Sequence, residues 1–441
     1  MANSNDKLVE LDGTTLEGGG QLLRIALCLS ALTATPVQIY NIRGKRSSGG
    51  GLKPQHLACV NWLARACKAY VEGAEKGSKT LLFVPWSTKD PKTGVLHQDK
   101  TLQNMVSPAF TKKRDESGSA LFECDMSIGT AGSTGLGLQA ILPFILFCSP
   151  SQSIPVRLKV SGGTNVSGSP SYEYLSQVLH PTLQSIGIPS IRTHLYRRGW
   201  SHGGASIGSF VLDIPPILSR PLPASKFALN IESRDAKPQK VARIEATFIG
   251  PSSIHDHLCR VLSSAVLSHF GKAYTLESNK FALKLEDSRH DKRLYLILVA
   301  TVPSGQASNN ISTSHYKLAK DWLYDRKIRT LAFTATEMAE RVSNELYQEW
   351  HSGAQVDEHM RDQLVIFQAL AEGPSKFWAG RDGDGEARQP SLHAQTAEWV
   401  AKQMLGVRWD GDGGCEGGVG YCSGGAERNT ADQIEELSLG S

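Results

Sequence analysis

The strongest constraint on the fold of this 441-residue chain is an order of motifs that occurs twice. Between residues 11 and 70, a glycine-rich turn leads into an apolar helix, an alternating strand, a second glycine-rich turn and a second helix. Residues 121–190 follow the same order. Strands alternating with helices are typical of α/β folds, and such self-similarity predicts an internal repeat. We predict a third copy from about residue 321 to residue 409, with helices near 334–349, 358–371 and 393–404.

The remaining segments predict how the chain divides into domains. Residues 214–298 follow a different pattern, which predicts a smaller inserted α/β domain and leaves 1–213 and 299–409 for the large one. Residues 87–120 are polar and lack apolar periodicity, as in a long surface insertion. Residues 410–441 are rich in glycine and acidic side chains, so we expect a disordered tail.

Composition and charge restrict the classes of protein to which this chain could belong. The net charge is +4, but the acidic tail conceals a more basic body, which suits a polyanionic partner. An ordinary soluble enzyme with a solvated tail fits the charge equally well. No run of about 18 apolar residues is present, so no membrane span is expected. The eight cysteines contain no CxxC pair, which favours reduced thiols over disulfides or a zinc site.

Common nucleotide and hydrolase signatures are absent from the sequence. There is no GxxxxGK[ST] phosphate loop and no HExxH metal motif. One GxSxG stretch, at 204–208, precedes a predicted strand, whereas a nucleophile elbow joins a strand to a helix. Any nucleotide is therefore expected to bind through a less common architecture.

The first positive signal is Glu17-Gly-Gly-Gly-Gln-Leu-Leu-Arg24. Three glycines at a helix start expose backbone N–H groups and let a phosphate approach closely. Gln21 and Arg24 lie three residues apart, so they share one helix face. Glu17 is placed to hold a divalent cation or to cap the helix. A glycine turn with a surface arginine is the alternative interpretation.

A second signal is a cluster of cations beside flexible backbone. Arg43, Lys45, Arg46 and Lys53 lie within eleven residues, next to a glycine triplet and a helix that begins at Pro54. Cations beside a helix N-terminus form a natural anion site. A solvated basic loop is the alternative.

Two further motifs lie at predicted helix starts. Glu358 and Asp362 are four residues apart at the head of an apolar helix, where negative charge also complements the helix dipole. His393 stands at the leading edge of the last helix. Taken alone, such a histidine is more often a capping or core residue than a catalytic one.

The motifs taken together resemble the RNA 3′-terminal phosphate cyclase family. The resemblance covers roughly residues 9–86, 121–204 and 350–405, and its motifs in chain order are LDGTTLEGGGQLLR, IRGKR, GLKPQHL, VEGAEKGS, IGTAGS, GGTN, DEHMRDQL and SLHAQT. It implies a large domain of three repeated βαβαβ-type units with a smaller inserted α/β domain. It also implies that ATP and a divalent cation, Mg or Mn, are used to convert an RNA 3′-phosphate into a 2′,3′-cyclic phosphate.

The same resemblance assigns roles to individual residues. It implies that His393 is the nucleophile that becomes adenylylated, and that Glu17 holds the metal. It implies that adenine lies between Pro143 and His359. The implied phosphate- and nucleotide-binding residues are Gln21, Arg24, Arg43, Arg46, Gln55, His56, Asp362 and Gln363.

Several departures from the family pattern keep alternatives open. His359 stands where the family usually has tyrosine, and residues 314–318 and 201–205 replace stretches that carry phosphate-facing groups. A catalytically inactive cyclase-like protein acting in ribosomal RNA processing is the main alternative, although retention of His393 argues against it. A small-molecule transferase of similar repeated architecture fits the motifs less well. We expect a nuclear location, in the nucleoplasm, with the cytoplasm as second choice.

Overall fold

A computed structural model gives the architecture of most of the chain. The structure describes residues 8–46, 49–89, 96–99, 102, 107–148, 151, 153–217, 222, 240–271, 281–304 and 315–421.

The first repeat is a four-stranded sheet with two helices. Its sheet has the order β1-β2-β4-β3, in which β1 and β2 are parallel and the other pairs antiparallel. Its elements are β1 (Val9–Asp12), α1 (Gly20–Thr33), β2 (Val37–Tyr40), α2 (Pro54–Ala66), β3 (Tyr70–Glu72) and β4 (Leu81–Val84).

The second repeat has the same topology with one added strand. A small hairpin of β5 (Ser87–Lys89) and β6 (Leu96–Gln98) precedes it. The sheet order is β10-β11-β9-β8-β7, so without the edge strand β7 it reproduces the first repeat. Its elements are β7 (Thr111–Arg114), β8 (Ala120–Ser127), α3 (Thr134–Phe147), β9 (Val156–Gly162), α4 (Tyr172–Tyr174), a π-helical turn (Leu175–Leu179), α5 (His180–Ser185), β10 (Arg192–Arg197) and β11 (Gly208–Ile214).

Between the second and third repeats lies a unit with its own core. Its sheet has the order β13-β12-β14-β15, and a separate cluster of buried side chains runs from Val241 to Ala354. The elements are β12 (Arg243–Gly250), α6 (His255–Phe270), β13 (Phe281–Asp287), β14 (Tyr295–Pro303), β15 (His315–Leu323) and α7 (Leu331–His351). The predicted boundary at residue 298 therefore falls inside β14, and the inserted unit begins later and ends later than the sequence indicated.

The third repeat is built around α8 (Glu358–Leu370), β16 (Glu372–Lys376), α9 (Leu392–Leu405) and β17 (Gly414–Val419). The Glu372 N–H donates to the Leu222 carbonyl, β16 pairs with β17, and Trp409 bridges to Cys415. The pairing of β16 with β17 and the bridge at Trp409 correspond to the β2–β4 and β4–β3 pairings of the first repeat. The prediction of a third copy is confirmed, but its start at residue 321 is wrong, because β15 and α7 belong to the inserted unit.

The structure adds detail to the predicted surface insertion and corrects the predicted start of the tail. Within the predicted surface insertion, β5, β6 and β7 are regular strands, and the β7 side chains are exposed. The tail is not disordered from residue 410, because β17 pairs with β16 and buries Cys415. Residues 422–441 lie outside the described part. No helix that the structure describes is long and apolar enough to span a membrane, and the seven described cysteines are free thiols.

Helix α1 occupies the centre of the repeats. Twelve of its fourteen residues are buried, and it packs against α2, α3 and α9. A helix that is buried all round belongs to the interior of a large core. The glycine-rich turn ahead of α1 is thereby held at the junction with α9, which carries His393.

The burial of His180 in α5 can be tested through the pH dependence of stability. The residue is buried in α5, neither ring nitrogen has a hydrogen-bond partner in the described structure, and burial lowers its pKa to about 4. Its neutral form therefore stabilises the folded state above pH 6.5, and that contribution disappears as the pH falls from 6.5 to 4. We expect wild-type protein to lose roughly 3 kcal/mol more than His180→Leu over this range. Denaturant unfolding at pH 7.5 and pH 4.5 measures the difference, with exposed His97→Leu as the control. Equal losses in wild type and His180→Leu would contradict it.

Candidate active site

A cavity of about 660 Å³ lies where the three repeats and the inserted unit meet. Of the twelve residues singled out from the sequence, only Pro143 does not line it. The others are Glu17, Gln21, Arg24, Arg43, Arg46, Gln55, His56, His359, Asp362, Gln363 and His393. These residues come from positions 17 to 393, so the fold gathers the motifs into one site.

The cavity depends on missing side chains at the start of α1. A Cβ atom on Gly20 would lie 2.7 Å from His56 Nε2 and 2.8 Å from Arg24 Nη1. A Cβ on Gly19 would collide with the Glu17 carboxylate. The glycines thus allow these polar groups to converge on the helix N-terminus, where backbone N–H groups favour an anion.

Arg24 is the most deeply held cation of the site. Its side chain is 4% exposed, and two amide oxygens fix it: Nε donates to Gln139 Oε1 at 2.7 Å and Nη2 donates to Gln21 Oε1 at 2.6 Å. Burial lowers the pKa of Arg24, yet guanidinium groups remain charged in proteins. A buried charge without an ionic partner is costly, so an anionic ligand is the expected counterion.

His56 supplies a neutral N–H group. Its Nδ1 accepts a hydrogen bond from the Lys53 N–H at 3.1 Å. Burial, with the charges of Arg24, Arg43 and Lys53, lowers the pKa of His56 to about 3. The ring is therefore neutral near pH 7, and its proton is assigned to Nε2, the nitrogen beside Gly20.

The basic loop is ordered by backbone contacts. Arg43 has a left-handed backbone (φ 56°), and its Nη1 donates to the carbonyls of Gly49 and Gly51. Gln55 Oε1 accepts a hydrogen bond from the Ser133 N–H at 3.0 Å, next to the start of α3. The first two repeats are thus linked directly beside the cavity.

Glu17 connects the first repeat to the third. Its N–H donates to Thr396 Oγ1 on α9 at 3.1 Å. The carboxylate is 5% exposed and pairs with Arg46, while Oε2 is buried without a hydrogen-bond partner in the described structure. No cluster of three metal-ligating side chains occurs among the described residues. One carboxylate together with substrate phosphates is a common way to hold Mg²⁺, so Glu17 fits a shared ion rather than a protein cage.

His393 lies at the mouth of the cavity. Helix α9 begins at Leu392, and the Ser391 hydroxyl caps it by accepting from the Ala394 N–H. The residue is exposed, but loss of water around the ring lowers its pKa; Arg24 and Arg46 add to this effect and Asp362 opposes it. The imidazole is therefore a neutral, accessible base or nucleophile at pH 7.

Asp362 lies beside His393 on the wall of the cavity. Burial raises the pKa of its carboxyl group, while the nearby His393 and Arg24 act in the opposite direction. Gln363 Nε2 donates to Asp362 Oδ1 at 2.8 Å and thereby orients the carboxylate.

The far end of the cavity differs from the sequence-based expectation. His359 lines it, with the ring edge-on to Tyr174 at 6.4 Å between centroids. Pro143 is buried inside α3, and the proline on the cavity wall is Pro170. The GGTN motif at 162–165 could have indicated Pro170, because the loop that follows this motif lines the cavity.

The inserted unit also contributes to this wall, which sequence reasoning missed. Tyr295 from β14 and Asp321 from β15 line the cavity. Asp357, at the start of α8, accepts hydrogen bonds from the Tyr174 hydroxyl at 2.6 Å and the Ala319 N–H at 3.1 Å. This buried carboxylate ties the second repeat, the inserted unit and α8 together.

The protein is an α/β protein of repeated units with a cationic cavity, and comparison with known sequences identifies its family. The family model described as RNA 3′-terminal phosphate cyclase matches residues 15–410. A relative from Nitrosospira multiformis named RNA 3′-terminal phosphate cyclase is 31% identical over 91% of this chain and 92% of its own length. One of the same name from Staphylothermus marinus is 32% identical over 84% and 86%. The chain belongs to the RNA 3′-terminal phosphate cyclase family.

Two departures noted from the sequence do not touch the cavity. The 201–205 stretch is held by Arg293, whose Nε and Nη2 donate to the Gly203 and Gly204 carbonyls. Residues 315–318 form the beginning of β15, and residue 314 lies outside the described part. Neither stretch contributes a described residue to the cavity wall, so His359 is the departure that lies within the site.

Gly20→Ala tests the close approach at α1. The added methyl group would push His56 and Arg24 apart, and Arg24 has little freedom because Gln21 and Gln139 hold it. We expect affinity for inorganic pyrophosphate to fall about tenfold or more, equivalent to at least about 1.4 kcal/mol. Isothermal titration calorimetry measures it. Gly383→Ala is the matched control, because nothing lies within 4 Å of its Cβ position. Unchanged affinity in Gly20→Ala would refute the steric account.

Proposed function

We propose that this protein is an ATP-dependent RNA 3′-terminal phosphate cyclase that acts through an adenylyl-histidine at His393. The observation that carries the proposal is a neutral, accessible imidazole in the same cavity as Arg24, Arg43 and Arg46. Relatives that match over most of the chain bear the same name as this activity. The substrates would be ATP and an RNA with a 3′-phosphate end.

In the first step, the lone pair of His393 attacks the α-phosphorus of ATP. A P–N bond forms, the P–O bond to the β-phosphate breaks, and pyrophosphate leaves with the electron pair. The guanidinium groups of Arg24, Arg43 and Arg46 and the His56 N–H offset charge on the phosphate oxygens. Asp362 stabilises the positive charge that develops on the imidazole.

In the later steps, the adenylyl group moves to the RNA. A terminal phosphate oxygen attacks the phosphorus of the adenylyl group, and His393 leaves as a neutral imidazole. The vicinal 2′-hydroxyl then attacks the 3′-phosphorus and loses its proton to water. The P–O bond to the adenylyl group breaks, AMP leaves with the electron pair, and the 2′,3′-cyclic phosphate forms. The exposure of His393 at the cavity mouth supports this sequence, because a bulky RNA end has to reach it.

A divalent cation would be held by Glu17 together with phosphate oxygens of ATP, and when bound it would neutralise part of their charge. The buried, unpaired Oε2 atom supports this placement. Arg46 is exposed enough to exchange its contact with Glu17 for one with phosphate.

The adenine ring would lie at the far end of the cavity, against His359 and Pro170. The imidazole of His359 offers a flat face, although a smaller one than the tyrosine usual in the family. Pro170 replaces Pro143 in this proposal, because only Pro170 reaches the cavity wall.

His393→Ala tests the nucleophile. Wild-type protein incubated with α-labelled ATP and Mg²⁺ should become labelled through an acid-labile P–N bond, and His393→Ala should not, because no other group replaces the ring. Denaturing gel autoradiography measures the adduct, and His97→Ala serves as a surface control. Wild-type protein that never labels, and that co-purifies with pre-ribosomal particles, would instead support the non-catalytic role in ribosomal RNA processing.

The pH dependence of labelling tests the charge state of His393. Because the pKa of His393 is lowered, its ring stays neutral at pH values below the ordinary histidine pKa of about 6.5. The single-turnover labelling rate should therefore fall on the acid side with a midpoint below about pH 6.5. Arg46→Gln removes a cation that lowers this pKa, so the midpoint should move upward even as the maximal rate falls. A midpoint that stays fixed in Arg46→Gln would show that another group controls the limb.

The nuclear location remains a prediction. The relatives compared above are prokaryotic and give it no support.

A further inference from the structure

The inserted unit supplies one wall of the cavity, and that wall is chemically unlike the other. Tyr295, Asp321, Trp322 and Leu323 come from β14 and β15. The first repeat supplies the cationic end, with Arg24, Arg43, Arg46 and Lys53. A ligand that spans the cavity therefore meets cations at one end and an acidic, aromatic surface at the other.

Asp321 is the carboxylate of this acidic wall, and its hydrogen-bond partner among the described residues is a neutral hydroxyl group. The Tyr295 hydroxyl lies 2.8 Å from Asp321 Oδ2 and 2.6 Å from the Ser171 hydroxyl. Within the described part of the chain, no lysine or arginine forms an ion pair with Asp321. The adjacent Lys320 pairs with Glu349 at 3.0 Å instead.

This arrangement leaves Asp321 with unused capacity as an acceptor. A carboxylate can accept about four hydrogen bonds, and the neighbouring hydroxyls satisfy only part of that number. Asp321 is half-buried and faces the cavity, so a ligand that fills the cavity displaces water from this carboxylate and gains affinity if it donates a hydrogen bond in its place. Asp321 and His359, the residue proposed to stack on the base, line the same cavity. Burial raises the pKa of the Asp321 carboxyl group, while the nearby His359 acts to lower it.

We propose that Asp321 is a specificity residue that accepts a hydrogen bond from the exocyclic amino group of adenine and so selects ATP as the nucleotide. The inference rests on the proposed function, because it assumes a nucleotide with its phosphates at the arginines and its base beside His359 and Pro170. A base that presents a carbonyl oxygen to Asp321, as uracil does, would meet repulsion. The Tyr295 hydroxyl is a positioning group, because it holds Oδ2.

The test compares α-labelled ATP with α-labelled purine riboside triphosphate, which has the same ring without the amino group. Single-turnover labelling of wild type should favour ATP about tenfold or more in rate at subsaturating nucleotide, which is the loss expected when a buried acceptor is left unpaired. Asp321→Leu removes the acceptor and should abolish the preference by slowing ATP alone. Asp321→Asn retains one carbonyl oxygen and should restore part of it. Tyr295→Phe should reduce the preference without removing it.

Several outcomes would overturn the inference. Equal labelling of wild type by the two nucleotides, or equal slowing of both by Asp321→Leu, would exclude Asp321 from base recognition. An effect of Asp321→Leu that vanishes with 2′-deoxy-ATP would assign the carboxylate to the ribose instead. Thermal midpoints of all variants separate these results from misfolding.

Failure of the proposed function gives a different pattern. If wild type labels with neither nucleotide, calorimetric binding of the two unlabelled triphosphates still tests Asp321. A preference for ATP that is lost in Asp321→Leu would then support base recognition in a protein that lacks the transfer chemistry. Binding of neither triphosphate would reject both proposals.

Discussion

The buried guanidinium group of Arg24 determines what kind of ligand the site can bind. Arg24 is held by the amide oxygens of Gln21 and Gln139, which orient the charge without neutralising it. A carboxylate in the place of either glutamine would satisfy the charge and remove its attraction for a ligand. Helix α1 can carry such a residue because its other faces pack against α2, α3 and α9, whose buried apolar side chains offset the cost.

The repeated topology explains how distant motifs converge. In the first two repeats, a glycine-rich turn leads from a strand into a central helix, and Gln55 at the start of α2 contacts the turn ahead of α3 through the Ser133 N–H. The third repeat brings α8 and α9, and thus Asp362 and His393, to the same point. The inserted unit then closes the remaining side. Each repeat contributes a different chemical group: cations, a loop with Pro170, and the imidazole with its acidic neighbour.

Much of this arrangement could be predicted from sequence because short motifs carried it. Glycine-rich turns followed by apolar helices identified the first two repeats, and eleven of the twelve chosen residues line the cavity. Pro143 was misplaced because one proline inside an apolar stretch gives no sign of whether it faces a core or a ligand. The end of the inserted unit was missed because the amphipathic pattern of α7 shows that one face is buried but not which sheet covers it. Asp321 lies in no motif, and only the pairing of β14 with β15 brings it beside Tyr295.

The position of the inserted unit has a consequence for biosynthesis. The Leu222 carbonyl accepts a hydrogen bond from the Glu372 N–H, so the third repeat closes only after the ribosome has completed the whole inserted unit. Contacts of such long sequence separation form slowly, because the intervening chain has to be confined first. If the inserted unit folds early, it shortens the effective distance between Leu222 and Glu372. Helix α9 and its histidine would then be the last parts to dock, so a nascent chain would carry its cation cluster well before it gains the nucleophile.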